Sequence, residues 1–147
     1  MIALIQRVGE ASVFIDEKLK SHIDKGLLIF LGIESADDFK DADYLLEKII
    51  NLRIFEDDLG KMNHSVTDIA GELMIVSQFT LLADCRKGRR PSFTRAEQPD
   101  KAKMLYDYFI EKAKQVCGKI SCGEFQAMMK IHLINDGPVT ISINSRE

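Results

Sequence analysis

The run GLLIFLGI, from Gly26 to Ile33, has no polar residue and begins at a glycine. It has no side to show to water. It is shorter than a buried helix and is edged by glycine, so it reads as a β-strand covered on both faces, central in its sheet. The remaining elements must supply that cover.

Ile2, Leu4 and the stretch around Val13 read as an opening hairpin that turns near Gly9 and Glu10. Ser35 followed by Asp38 resembles a capping box with a shortened acid. Ala42, Leu45, Leu46, Ile49 and Ile50 then recur at helical spacing toward Arg53. A turn at Asp57-Asp58-Leu59-Gly60 precedes a short buried strand, Glu72 to Val76, that runs directly into SQFTLL. Pro99 and Asp100 suit the first turn of a second helix. Ala102, Leu105, Phe109, Ala113 and Val116 share one face of it, and Gly118 ends it. Phe125, Ala127, Met129, Ile131 and Leu133 alternate as on a strand, and NDGP is expected to reverse the chain into a last strand, Val139 to Ile143. The fold class that follows is α+β: curved, partly barrel-like sheets with two main helices.

At 147 residues the chain fits one domain, 1–147. Gln6 and Arg7 interrupt the N-terminal apolar stretch before it reaches signal-peptide length, and nothing approaches the ~18 apolar residues that span a bilayer. A cytoplasmic protein without membrane partners is expected. Cys85, Cys117 and Cys122 form no C-x-x-C pair and read as reduced thiols. Neither glycine-rich phosphate loop, G-x-G-x-x-G or G-x-x-x-x-G-K, occurs.

A net charge of −3 argues against a general polyanion binder. Charge is nevertheless concentrated in RKGRRPSFTR, where Arg86, Lys87, Arg89, Arg90 and Arg95 stand without an acid among them. Such a loop either holds a phosphate backbone or is a solvated surface. Ser77-Gln78-Phe79-Thr80 places two hydroxyls, a carboxamide and main-chain N–H groups where a buried strand gives way to loop. Donors of that kind stabilise a developing oxyanion, although loop hydrogen bonding is the commoner use. No neighbouring residue is an activating base. His22, His64 and His132 lie in no nucleophile elbow and at no metal-ligand spacing, so neither a serine triad nor a metal centre is expected. Gly137-Pro138 is either an ordinary turn or a deliberate tight corner.

Taken in order, MIALIQRV, RIFEDDLGKMN, VSQFTL, ADCRKGRRPSF, LYDYF and NDGPVT resemble the D-aminoacyl-tRNA deacylase family over essentially the whole chain. The resemblance implies a homodimeric, cofactor-free hydrolase acting on D-aminoacyl-tRNA and glycyl-tRNA. Ser77, Gln78, Phe79 and Thr80 would surround the scissile ester, chiefly through main-chain donors. Gly137 and Pro138 match the family's Gly-cisPro motif, which enters the other subunit's active site. Its carbonyl oxygens would receive the substrate's α-amino group and fill the space that an L side chain needs. Arg7 and Asn135 would support that corner, Phe125 would lie near the terminal adenine, Met129 would join it in binding the substrate, and Arg86, Lys87, Arg89 and Arg90 would meet tRNA. The chain departs from the family pattern at Gln126, where glycine is expected, and at Cys85, where threonine is common. The resemblance further implies that the free hydroxyl of the terminal ribose assists water. A covalent role for Thr80 is the competing mechanism. A noncatalytic tRNA-binding module and a small-molecule esterase are the competing functions.

Overall fold

The computed structural model describes residues 1–146. Strand β1 (Ile2–Ile15) and β2 (Lys18–Ile23) form the opening hairpin, followed by β3 (Gly26–Gly32) and helix α1 (Phe39–Asn51). A small hairpin, β4 (Phe55–Glu56) with β5 (Met62–His64), leads to β6 (Glu72–Ser77). A 3-10 turn (Phe79–Leu82), helix α2 (Pro99–Val116), β7 (Ile120–Cys122) and β8 (Lys130–Asn144) complete the chain.

The glycine-edged run is the inner strand expected of it. β3 pairs antiparallel with β1 and parallel with β6, which pairs in turn with β7. Its side chains divide by parity. Leu27, Ile29 and Leu31 pack under the helices with Leu45, Ile49, Leu105 and Phe109. Leu28 joins Val8, Val13, Met74 and Val76 on the opposite face, with Phe30 packed against them. Gly26 is required by contact: a Cβ there would lie 1.9 Å from the Glu72 carbonyl oxygen. The sheet curls until β2 and β7 meet, where Ser21 Oγ donates to the Cys122 carbonyl (2.9 Å) and Ser121 Oγ to that of His22 (3.2 Å). This gives the expected α+β architecture with a nearly closed, barrel-like sheet and two helices.

Several local expectations are corrected. The opening hairpin turns at Asp16 and Glu17, both with positive φ, as a two-residue turn between right-twisted strands requires, and not at Gly9 and Glu10. β1 runs through Gly9 because β8 pairs along it from Ile2 to Phe14. Asp38, not Ser35, caps α1. Its carboxylate accepts from the Lys40 and Asp41 N–H groups, and Asp41 returns the bond, whereas the Ser35 N–H is spent on the Arg95 carbonyl. Val116, placed on the buried face of α2, is 48% exposed in the last turn. Finally, NDGP reverses nothing. β8 is one strand antiparallel to β1 on both sides of Gly137-Pro138, and the extra residues form a bulge opposite Arg7.

The alternation from Phe125 also fails before Lys130. Gln126 has φ +63 and turns the chain, so Phe125 joins the helix-side cluster while Met129, Ile131 and Leu133 pack on the other. The buried carboxylate of Asp37 ties the chain ends, accepting from the Met1 amino group and from Arg146 Nη2, each at 2.7 Å.

Candidate active site

The β3–β6 ladder ends at Leu31 and Ser77, and the Gln78 N–H makes the last rung to the Leu31 carbonyl at 2.8 Å. The chain then folds into the 3-10 turn. Gly32 permits this close return, since a Cβ there would stand 3.1 Å from the Gln78 carbonyl oxygen and 3.2 Å from Leu81 Cβ. Within the turn, the Leu81 N–H reaches the Gln78 carbonyl and the Ala83 N–H that of Thr80. The N–H groups of Phe79 and Thr80 open the turn and have no preceding carbonyl in it to bond. The Gln78 carboxamide donates to Thr80 Oγ1, holding that hydroxyl against the backbone.

A cavity of about 630 Å³ opens at this point. Val76 to Phe79 form one wall, Pro99 and Ala102 at the start of α2 another, and the segment from Phe125 to Met129 a third. Most of the lining is apolar. Glu97 stands at the rim with its carboxylate engaged by Lys101 Nζ and the Gln98 N–H, each at 2.8 Å, and these hydrogen bonds hold it below the usual carboxylate range. Behind the wall, Tyr106 donates to the Ile75 carbonyl at 2.8 Å, and its ring lies 5.9 Å from that of Phe125. Burial pushes its phenol well above the ordinary value, so it stays a neutral donor.

No histidine lines the cavity. His22 lies between Ser12 Oγ (2.8 Å) and Asp24 (3.2 Å), and His132 is exposed, with its ring against Phe14. Among the described residues no cluster of His, Cys, Asp or Glu has the arrangement of a metal site. The three cysteines are unpaired, with Cys85 exposed in the basic loop.

The basic loop is pinned at its base and joined to the cavity. Asp84 and Ser92 exchange backbone hydrogen bonds at 2.8 and 2.9 Å, and Arg95 Nε meets Glu34 at 2.7 Å. The rings of Phe93 and Phe79 meet edge to face at 5.0 Å. Arg86 is committed to Asp84 through Nε and Nη2, and it holds that carboxylate far below its ordinary pKa. Among the described residues Lys87, Arg89 and Arg90 are exposed and carry no ion pair, so they are the charges free for a polyanion.

The second region is the β8 bulge. The Gly137-Pro138 peptide bond is cis and both residues are exposed. Arg7, only 5% exposed, reaches it from below: Nε donates to the Asp136 carbonyl at 3.0 Å and Nη1 to the Ile54 carbonyl at 2.6 Å. Asn135 spans the bulge, accepting from the Val139 N–H (2.9 Å) and donating to Thr140 Oγ1 (2.8 Å). A Cβ on Gly137, where φ is +125, would lie 2.7 Å from Arg7 Nη2 and 2.9 Å from Val139 Cγ2.

Two groups of expected site residues are therefore gathered, in different places. Ser77, Gln78, Phe79, Phe125 and Met129 line one cavity, with Thr80 at its edge. Gly137, Pro138, Arg7 and Asn135 form the corner. Arg7 faces Leu27 across the β1–β3 ladder while Ser77 faces Leu31, and β8 and β6 are separated by β1 and β3. The offset is about 13 Å along the strands and about 14 Å across them. The corner does not line its own chain's cavity. Sequence reasoning missed Glu97, Pro99 and Ala102 as cavity walls and Phe93 as the link to the loop. Only proximity in the fold reveals them.

A model of the family described as D-Tyr-tRNA(Tyr) deacylase matches residues 4–144. The chain belongs to that family. Relatives within it include the D-aminoacyl-tRNA deacylase of Syntrophus aciditrophicus, 58% identical over 99% of this chain and 98% of the relative. That of Petrotoga mobilis is 52% identical over 100% and 99%. Among solved structures, a c-Myc DNA unwinding element binding protein superposes with TM-score 0.93 at 39% identity, covering 98% of each chain. A probable eukaryotic D-amino acid tRNA deacylase shares the fold, with TM-score 0.86 at 14% identity over 97% of this chain and 98% of that one. The match over residues 4–144 includes both the SQFT segment and the bulged β8.

Arg7 is expected to be the corner's chief support. Arg7→Ala strands two carbonyl acceptors and should cost about 3 kcal/mol in chemical denaturation, with Arg7→Lys recovering little because an ammonium lacks the guanidinium fork. A loss below about 0.5 kcal/mol, the usual scale of surface substitutions, would refute that role.

Proposed function

We propose that the chain, as one domain spanning residues 1–147, hydrolyses the ester joining a D-amino acid, or glycine, to the 3′ end of tRNA. The observation that carries this reading is the strand-end cavity. Free main-chain N–H groups stand at the edge of a largely apolar chamber whose lining holds no histidine and whose Glu97 carboxylate is engaged by Lys101 and the Gln98 N–H, beside a cationic loop tied to it by the Phe79–Phe93 contact. A site of this composition is suited to stabilising an oxyanion on a substrate that carries its own general base. Each well-placed donor is worth up to about 3 to 4 kcal/mol in the transition state. The free 2′-hydroxyl of the terminal ribose fills the missing role by assisting water. Thr80, held by Gln78 with no base beside it, is poorly placed to be a nucleophile.

The working unit is a homodimer in the cytoplasm. The Gly137-Pro138 corner of one subunit enters the other's cavity, accepts the α-amino group, and occupies the space of an L side chain. Two features support an intersubunit arrangement: the separation of corner and cavity within one chain, and the edge of β8, which among the described residues pairs only with β1 and exposes Ile134. Selection by exclusion needs little energy, since a clash of about 4 kcal/mol gives a roughly thousand-fold preference. Glycine has no side chain to exclude. The terminal adenosine lies against Phe125 and Met129, while Lys87, Arg89 and Arg90, with Arg86 beside them, meet the phosphates.

Deacylation of radiolabelled D-tyrosyl-, L-tyrosyl- and glycyl-tRNA is the direct test. The D and glycyl esters should be released and the L ester spared, and a 3′-linked D ester on terminal 2′-deoxyadenosine should turn over far more slowly. RNA binding without release would favour the noncatalytic module, and unimpaired hydrolysis of the deoxy substrate would remove the ribose from the mechanism. Tightness for tRNA should fall with salt, and neutralising Arg89 and Arg90 together should reduce the log-log slope by about 2, a change that leaves no mark if phosphates bind elsewhere.

A further inference from the structure

The cavity contains one residue whose backbone conformation runs against its type. The Ala127 N–H donates to the Glu124 carbonyl at 3.2 Å, closing a four-residue turn with Gln126 in third place at φ +63. Turns with positive φ at that place select glycine, because any Cβ is crowded there. A side chain retained at such a site is a reason to look for what it does. Gln126 is exposed, lines the cavity, and its carboxamide takes part in no hydrogen bond among the described residues. Its neighbours on the same wall are Phe125, Met129 and, across the space, Val76, surfaces on which a flat heterocycle can rest.

We infer that Gln126 is a specificity-determining residue that reads the edge of the adenine base at the RNA terminus. The inference rests on the function proposed above, which brings that adenosine into this cavity. A carboxamide matches adenine in both directions at once, accepting from the exocyclic N6 amine through Oε1 and donating to N7 through Nε2. The apolar walls hold the base by contact that any base would satisfy. Gln126 then supplies the discrimination that stacking lacks, and the left-handed turn is what aims it.

The test compares wild type, Gln126→Gly and Gln126→Ala on D-tyrosyl-tRNA ending in adenosine or 7-deazaadenosine. Glycine suits the turn, so Gln126→Gly should melt about 2–4 °C higher than wild type. Its KM for the adenosine substrate should nonetheless rise about tenfold with kcat little changed, the signature of a lost binding contact distant from the bond being broken. Gln126→Ala keeps a Cβ in the turn and should show the same rise in KM. Wild type should lose several-fold in KM on the 7-deaza substrate, and both variants should be indifferent to it. Wild-type KM in the variants, or an undiminished 7-deaza effect in them, would overturn the inference while wild-type hydrolysis left the function standing. Failure of wild type to release D-tyrosine from either substrate would instead overturn the function, and this inference with it.

Discussion

Leu27, Ile29 and Leu31 on one side of β3, and Leu28 and Phe30 on the other, must be kept from water together, and the protein is arranged to do so. Removing five such side chains from solvent is worth on the order of 10 kcal/mol, an upper figure because a real unfolded chain already hides part of them. The helices cover one face and the curled sheet covers the other. A strand buried on both faces needs partners on both edges, and β1 and β6 provide them.

That demand also sets where chemistry becomes possible. β6 runs parallel to β3, so both leave the sheet at the same end, and the apolar cover stops where Ser77 follows Val76. Backbone donors released from the ladder emerge beside an apolar chamber, the setting in which an oriented N–H is worth most. At the opposite end of the same ladder, Gly26 lies tight against Glu72 and Val8 faces it from β1. Arg7 stands there, and its buried fork holds the β8 bulge outward. Cavity and corner are thus consequences of one sheet, expressed at its two ends.

Much of this was legible in the residues. The apolar run, the helical periodicities of α1 and α2, and the strand running into SQFT each carry strong local signals, and the structure follows them. Errors arose where tertiary pairing overrode local turn chemistry. Gly9-Glu10 and NDGP both look like reversals, yet β1 and β8 pair along each other so extensively that both become irregularities within long strands. Asp38 displaced Ser35 as the cap because the turn through Ala36, at φ +72, delays the helix. The cavity was half legible. One wall follows from one segment, but Glu97 and Phe93 come from stretches distant in sequence and leave no periodic trace, and the periodicity that marks Ala102 places it on a helix face without saying what that face meets.

The central claim is that each catalytic pocket is completed by the other subunit, and subunit mixing tests it most directly. Gly137→Ala spoils the corner, and Ala127→Trp fills the cavity from its loop wall. Each variant alone should be inactive on D-tyrosyl-tRNA. Co-expressed, half of the dimers pair one of each and hold one intact site in two, so about a quarter of wild-type activity should return. If the corner instead serves its own chain, no mixed dimer holds a complete site, and activity no higher than that of the separate variants would contradict the account.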